Sequence, residues 1–364
     1  MELKNLVSRQ KPRENSGSRS ANRFDYQKDW AILKLIELHK SGEDYLLVLD
    51  YYDDVIVFDS GEEPENVEFF QVKTGKTNWT MKRLLSRKKG KEGKLPSILG
   101  KMYACKMQFP DHTLSLNFIS NSSLSIDLKD KNKKSTENSE VAFSEICDKK
   151  LSEIVDQLKE EHSIVGVPDF VELTFYRKTN LALVEREPFI KGKLGEYLEE
   201  LDPKGMFRLS LVYNSLFDEV KRKNNYEGDI SDFKDLAHKK GISRDAFDSM
   251  INQFTRTEKI EEDWTTAEQR FNNEGVPFGV IRRLKKSWDL LKIERLDLTK
   301  TYLQEIITNV SEIIKLSYGL DENIQYLYRD VIEKAYQEYC RSYSLVPYSE
   351  YDIKAIILME YLSE

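Results

Sequence analysis

The pattern of apolar and polar residues divides the chain into a first half rich in short strands and a second half of long helices. Residues 24–39 carry apolar side chains at spacings of three and four, which predicts an amphipathic helix. Apolar runs of strand length follow at 45–49, 55–58 and 67–73. The turn-like segment SGEEPEN separates the last two, so these runs are expected to pair as a hairpin.

Further elements of both kinds complete the first half. They are a helix over 96–108, a strand over 113–119, a helix over 141–162 and a strand over 170–176. After about residue 184 strand-like runs vanish and amphipathic helices take over. These helices are predicted over 191–202, 206–222, 229–240, 243–257, 275–292, 296–317, 321–342 and 349–362.

This change of character predicts two domains joined in one chain. We expect an α/β domain over residues 23–184 and an all-α domain over 185–364, preceded by a flexible polar tail at 1–22. A length of 364 residues is in the usual range for two domains.

Composition narrows the class of protein. Hydrophobic residues make up 40% and charged residues 33% of the chain, which is typical of a soluble, ordered protein. No run approaches the ~18 apolar residues of a membrane span, and the N-terminus lacks the apolar segment of a secretory signal. The three cysteines lie far apart, which excludes a disulfide framework and a zinc spacing. We therefore expect a cytoplasmic protein that does not enter a membrane.

Candidate chemistry falls on the predicted hairpin. Side chains alternate between the faces of a strand, so Asp54 shares a face with Asp50, and Gln71 shares one with Lys73. One register of the hairpin brings Asp54, Gln71 and Lys73 together. Oxygen ligands from Asp54, the Gln71 amide and the Val72 backbone carbonyl would suit Mg²⁺, and a lysine would offset charge on a phosphate. The set fits metal-assisted phosphodiester hydrolysis. Alone, this spacing equally fits turn aspartates and a solvated lysine.

A resemblance to a nuclease superfamily supports the catalytic interpretation. It rests on FDYQKDWAILKLIELH, LDYYDDVIVFD and VEFFQVKT, which contain Tyr26-Gln27, Asp53-Asp54-Val55 and Gln71-Val72-Lys73. These segments resemble the PD-(D/E)xK superfamily. Within it they are most similar to the nuclease domain of the CD-NTase-associated double-stranded-DNA endonucleases of bacterial anti-phage defence, and to the nuclease subunit of Lamassu systems.

The resemblance covers roughly residues 20–120. It implies a restriction-endonuclease-like core, a central mixed sheet flanked by helices, with DNA as substrate and Mg²⁺ as cofactor (Mn²⁺ as the second candidate). Two positions depart from the superfamily: Asp53 stands where proline is usual, and Gln71 replaces an acidic ligand. Gln27, on the first helix, Asp50, in phase with Asp54, and Asp53 itself are secondary candidates.

A basic segment follows the hairpin. The chain as a whole has a net charge of −7, yet residues 82–94 hold seven basic side chains against one acid, Glu92. They are Lys82, Arg83, Arg87, Lys88, Lys89, Lys91 and Lys94. Such a local excess predicts contact with DNA phosphates, although charge runs are also common in solvated loops.

The helical half lacks the strand pattern of the cyclic-oligonucleotide sensor domain that CD-NTase-associated enzymes carry. The resemblance then implies a Lamassu-like arrangement, with an SMC-like ATPase and a small accessory subunit as partners and a homo-oligomer as the active form. The function expected is an endonuclease for double-stranded DNA, inactive until partners sense foreign DNA. A catalytically silent DNA-binding module and an RNase of the same fold are the alternatives.

Overall fold

A computed structural model describes residues 16–91, 93–203, 207–255, 257–295, 300–318, 325–343 and 347–363. Helix α1 spans Ser16–Ser41, so it begins before the predicted start. The sequence places residues 16–22 in the polar tail, whereas the structure has them in the first turns of this helix. Residues 1–15 lie outside the described part. Polar residues can extend a helix whose buried face begins further along, here at Tyr26.

Nine strands and seven further α-helices follow α1 in the first 255 residues, as far as they are described. The strands are β1 (Leu46–Tyr51), β2 (Asp53–Phe58), β3 (Val67–Val72), β4 (Trp79–Thr80), β5 (Thr113–Ser120), β6 (Leu124–Ser125), β7 (Glu140–Ala142), β8 (Thr174–Lys178) and β9 (Gly241–Ser243). The helices after α1 are α2 (Met81–Leu84), α3 (Ile98–Gln108), α4 (Asp148–His162), α5 (Arg186–Leu201), α6 (Leu209–Asn224), α7 (Phe233–Lys240) and α8 (Arg244–Thr255).

Seven of these strands form one mixed sheet, in the order β7-β8-β5-β3-β2-β1-β9. The pairs β3–β5 and β5–β8 are parallel, and the others are antiparallel. Strands β4 and β6 pair separately in parallel. The predicted hairpin is present, with Val55 opposite Phe70 and Ile56 opposite Phe69. A mixed sheet flanked by helices is confirmed.

Both faces of the central strands are covered. Ile56 and Phe69 belong to a core that includes Leu99 of α3 and Leu158 of α4. On the other face, the ring of Trp30 from α1 lies 5.3 Å from that of Phe70. Burial on two sides explains why these strands read as continuous apolar runs.

The predicted helix over 141–162 is wrong in its first part. Residues 140–142 form β7, a 3₁₀ turn follows at Phe143–Glu145, and α4 begins only at Asp148. Val141 pairs with Tyr176 of β8. The segment VAFSEIC has apolar residues that fit either period, and pairing with β8 selects the strand.

Strand β9, which the sequence pattern did not predict, adds to the free edge of β1. Its first residue is Gly241, where a Cβ atom would lie 2.7 Å from both the Ala237 carbonyl oxygen and Leu46. Glycine is therefore required for the close approach of α7 to the sheet edge.

The described chain forms two compact units that interleave along the sequence. One contains the sheet and comprises the residues up to Lys193 together with Val220–Phe247. The other comprises Leu194–Glu219 together with the residues from Asp248 onwards. The single boundary near residue 184 stays a prediction of where the nuclease domain ends.

The second unit is helical in its described part, as the sequence predicts. Its later helices are α9 (Thr257–Asn273), α10 (Phe278–Glu294), α11 (Thr301–Tyr318), a π-helical segment (Leu327–Glu333), α12 (Lys334–Ser342) and α13 (Glu350–Ser363). Helix α9 was not predicted, and the predicted starts at 296 and 321 fall outside the described residues. Buried side chains such as Trp288 and Leu358 form its core. None of the described helices is long and apolar enough to cross a membrane.

Candidate active site

Three hydrogen bonds converge on one carboxylate oxygen at the end of the central hairpin. Oδ2 of Asp54 accepts from the Gln71 side-chain amide, from the backbone N–H of Val72 at 2.8 Å and from Nζ of Lys73 at 2.9 Å. The other oxygen of Asp54, Oδ1, accepts none of these three bonds. The structure thus brings together the three side chains predicted from the hairpin.

The hairpin register explains this convergence. The ladder ends at the Val55–Phe70 pair, so the next residues, Asp54 and Gln71, extend from the same side of the sheet. Beyond the ladder, the N–H of Val72 donates to the Asp54 carboxylate instead of to a strand carbonyl. The amide of Lys73 bonds to Ile119 of β5, which keeps the end of β3 extended. The geometry of the site follows from ordinary strand pairing.

The turn between β1 and β2 breaks the alternation assumed from the sequence. Asp50 and Tyr52 have left-handed backbones, with φ of 48° and 63°. Asp50 therefore does not share a face with Asp54 by simple period-two spacing. Nevertheless, both carboxylates line a cavity of about 250 Å³, which Asp53 and Lys101 also line.

Asp53 lies in the same cavity and accepts the backbone N–H of Asp54 at 2.8 Å on its own carboxylate. Burial, together with the neighbouring Asp54 carboxylate, raises the pKa of Asp53 to about 7, although the Asp54 N–H, Lys73 and Lys101 act in the opposite direction. The two adjacent aspartates thus lie in different environments. The Asp54 carboxylate accepts three hydrogen bonds, whereas the Asp53 carboxylate is largely removed from solvent.

Gln27, the secondary candidate on α1, also reaches the site. Its Nε2 donates to the backbone carbonyl of Val72 at 3.1 Å. The Val72 carbonyl, which was predicted to bind a metal, therefore already accepts one hydrogen bond from Gln27. Gln27, Gln71 and Lys73 together line a second cavity of about 600 Å³, which extends towards Arg23 and Lys88.

The basic segment divides into two groups of side chains. Arg83 stacks 3.9 Å above the buried Trp79 ring and donates to Thr77 and Asn78, and Arg87 pairs with Glu160. These two arginines have internal partners. The lysines are exposed, and Lys88 lines the cavity that holds Lys73; they are Lys82, Lys88, Lys89, Lys91 and Lys94. Glu92 lies outside the described residues.

Two lysines near the site were not found from the sequence. Lys101 of α3 lines both cavities. Lys240, at the end of α7, is 6% exposed and donates to the carbonyls of Leu49 and Asp50 at 3.3 and 3.1 Å. Lys240 thus anchors the turn that carries the aspartates. No local signal identifies it, because it lies 190 residues from Asp50 along the chain.

The donor set of the site consists of hard oxygen atoms. Within the described parts of the chain, no three His, Cys, Asp or Glu side chains are grouped closely enough to hold a metal ion. What the site offers is the Asp54 carboxylate, the Gln71 amide oxygen and the Val72 carbonyl, with Asp53 nearby. Such a set suits Mg²⁺, which prefers oxygen and retains several waters, better than zinc.

Comparison with known proteins shows the family to which the chain belongs. A family model described as "Cap4, dsDNA endonuclease domain" matches residues 15–224, more than half of the chain. The Lamassu protein LmuA of Bacillus cereus (strain VD014) is 25% identical over 246 residues, which cover 66% of this chain and 64% of LmuA. The match thus spans less than two thirds of the length of LmuA. No solved structure matches. Because the family model covers more than half of its residues, this chain belongs to the Cap4 double-stranded-DNA endonuclease domain family.

Proposed function

We propose that the chain is a metal-dependent endonuclease that cleaves double-stranded DNA in bacterial anti-phage defence, with Asp54, Gln71 and Lys73 as its catalytic residues. The observation that carries the proposal is the convergence of Gln71, Val72 and Lys73 on Asp54 at the mouth of two adjoining cavities. Family membership supports DNA as the substrate, and the similarity to a Lamassu protein supports the role in defence.

Asp54 would be the charged ligand of Mg²⁺, and the Gln71 amide oxygen and the Val72 carbonyl would be neutral ligands. Mn²⁺ is the second candidate, since it accepts the same oxygen donors. The metal would lower the pKa of a bound water and act as a Lewis acid on the phosphate. Because Gln71 is neutral, the site has one negative charge fewer than a two-carboxylate site. We therefore expect DNA phosphates to contribute to metal binding.

Lys73 would act directly on the reacting phosphate. Its ammonium lies 2.9 Å from Asp54 and is about one third exposed, so it borders both the ligand carboxylate and the open cavity. From this position it would orient the attacking water and offset the negative charge that develops on the phosphate oxygens. Lys101, on the other wall, would add positive charge to the same space.

The similarity to LmuA also supports a controlled activity. We propose that an SMC-like ATPase and a small accessory subunit hold the nuclease inactive until foreign DNA is sensed. Oligomerisation of the nuclease would then bring two sites to the two strands, as a double-strand break requires.

Cleavage of plasmid DNA tests the site and the function together. We expect the wild-type chain, at high concentration with Mg²⁺, to cut the plasmid, and Lys73→Ala to lose the activity by at least ~10²-fold, the usual effect of removing an electrostatic catalytic group. Lys76→Ala is the matched control, because Lys76 is an exposed lysine three residues further on. Undiminished cleavage by Lys73→Ala would contradict the site. Duplex binding without cleavage, even with the partner subunits present, would favour the silent binding module.

A further inference from the structure

A lysine-rich cavity of about 860 Å³ lies in the sheet-containing unit, apart from the residues that form the candidate active site. Five lysines line it against a single acid, Asp127, in a protein whose overall charge is negative. The lysines are Lys82, Lys131, Lys133, Lys134 and Lys150. Such a concentration of one sign of charge in a cavity attracts anionic ligands.

Several of these lysines are available for a ligand. Lys134 pairs with Glu137 at 3.2 Å, and Lys150 pairs with Glu153 at 2.8 Å. Within the described residues, no ion pair is recorded for Lys82, Lys131 or Lys133, and all three are exposed. Their charges therefore face solvent without compensation from a carboxylate in direct contact.

The loop that carries three of the lysines is held in place by internal hydrogen bonds. The buried Ser135 hydroxyl donates to the carbonyl of Ile126 at 2.7 Å and accepts its N–H at 2.9 Å. The amide of Lys129 donates to the carbonyl of Glu145, and that of Cys147 donates to the carbonyl of Asp127, so the start of the loop is attached to the segment before α4. At the other end of the loop, the carbonyl of Ser139 accepts the amide of Lys178. The structure presents the lysines on a fixed loop, which reduces the entropy lost on binding.

This cavity adjoins the catalytic one. Trp79 and Arg83 line the cavity that contains Gln71 and Lys73. Thr80 and Lys82, from the same short segment β4–α2, line the lysine-rich cavity. A ligand long enough to cross this segment would contact both.

We propose that the lysine-rich cavity is a second contact site for the phosphate backbone of duplex DNA, and that it fixes the duplex relative to the catalytic hairpin. The inference rests on the proposed function. Duplex DNA has the required charge, one per ~1.7 Å of its axis, and the required length. No residue that lines this cavity is aromatic, so it offers no platform for the base stacking on which single-stranded ligands depend.

Salt-dependent binding to duplex DNA in EDTA, where cleavage is suppressed, tests the inference with the full chain. For Lys131→Gln combined with Lys133→Gln, we expect the slope of log affinity against log salt to fall by about 1.8, from ~0.9 per phosphate contact. The matched control neutralises Lys40 and Lys234, which are exposed and lie at the other end of the sheet, near the end of α1 and near Phe58. We expect the salt slope of this control variant to stay within ~0.3 of the wild-type slope, because neither Lys40 nor Lys234 should contact a DNA phosphate. Lys131→Arg combined with Lys133→Arg should retain the wild-type slope.

Three outcomes would overturn the inference. If wild type binds duplex DNA and the Lys131/Lys133 variant has its slope, the cavity is not a contact site, while the proposed function stands. If the slope falls as much in the Lys40/Lys234 control as in the Lys131/Lys133 variant, the effect comes from the net charge of the protein and not from this cavity. If wild type binds no duplex at any salt concentration, the proposed function fails as well. Thermal unfolding of each variant checks that the fold is retained.

Discussion

Gln71 is one of the two positions at which this site departs from the nuclease superfamily it resembles, and replacing it with an acid gives a sharp test. Gln71 is buried, and its amide donates to Oδ2 of Asp54. In Gln71→Glu that donor is lost and two carboxylates meet. Without metal the variant should be less stable than wild type, and with Mg²⁺ it should recover, because a second carboxylate is then a ligand.

The size of the effect follows from the contact. A hydrogen bond to a charged group contributes about 1.5–3 kcal/mol. Two unit charges ~4 Å apart at an effective dielectric constant of ~20 repel by about 4 kcal/mol. Lys73, 2.9 Å from Asp54, offsets part of this repulsion. We therefore expect a loss of about 2–4 kcal/mol in EDTA. A Mg²⁺ concentration 100 times the dissociation constant would restore about 2.7 kcal/mol.

The assay compares unfolding of the sheet-containing unit with and without Mg²⁺. Gln157→Glu is the matched control, because the Gln157 amide donates to Glu161 at 2.8 Å on α4, away from the hairpin. The control should also lose stability in EDTA but should recover less in Mg²⁺. In cleavage, Gln71→Glu should reach half-maximal rate at a Mg²⁺ concentration at least ~10-fold lower, which corresponds to about 1.4 kcal/mol.

One result would refute this reasoning. If Gln71→Glu has wild-type stability in EDTA and a wild-type requirement for Mg²⁺, then the amide contributes nothing at Asp54 and is not a ligand. Recovery in Mg²⁺ that is equal for Gln71→Glu and Gln157→Glu would mean that the metal acts on any pair of acids.

Other variants test neighbouring parts of the site. Asp54→Ala should abolish cleavage, whereas Asp53→Ala should be milder because Asp54 makes the three converging contacts; equal loss in plasmid assays would contradict this ranking. Neutralising three exposed lysines of the basic segment should lower the salt slope of DNA binding by about 2.7. An unchanged slope would mean that these lysines are solvated and do not contact DNA. They are Lys88, Lys89 and Lys91. Burial lowers the pKa of Lys240 in the folded protein. The unfolded chain therefore binds this proton more tightly than the folded one. The free energy of unfolding of wild type should rise as pH increases from the lowered pKa of the folded state to the ordinary lysine pKa of the unfolded state. Lys240→Met should lack this gain in urea unfolding measured across that range, and equal gains would exclude Lys240 as its source.

The sequence by itself determined the central hairpin and the three side chains at its end. The strand period, the turn of polar residues and the Gln-x-Lys spacing are all features of short, continuous segments of sequence. The register that places Ile56 opposite Phe69 in the core also brings Asp54 next to Gln71. The turn between the two strands fixes this register, because turn type and loop length decide which residues of a hairpin lie opposite each other. The mixed sheet was implied by the family resemblance, and the helical second half was predicted from apolar periods that are long and regular.

Only the tertiary structure decided the surroundings of the hairpin. The strand at 140–142 exists because β8 pairs with it, although its own residues fit a helix equally well. Lys240 supports the Asp50 turn across 190 residues of sequence, and the left-handed backbones at Asp50 and Tyr52 bring Asp50 and Asp53 to one cavity. Pairing and cavity formation depend on contacts between distant segments. Local periodicity carries no information about which distant segment will meet a given strand, and the fold supplies it.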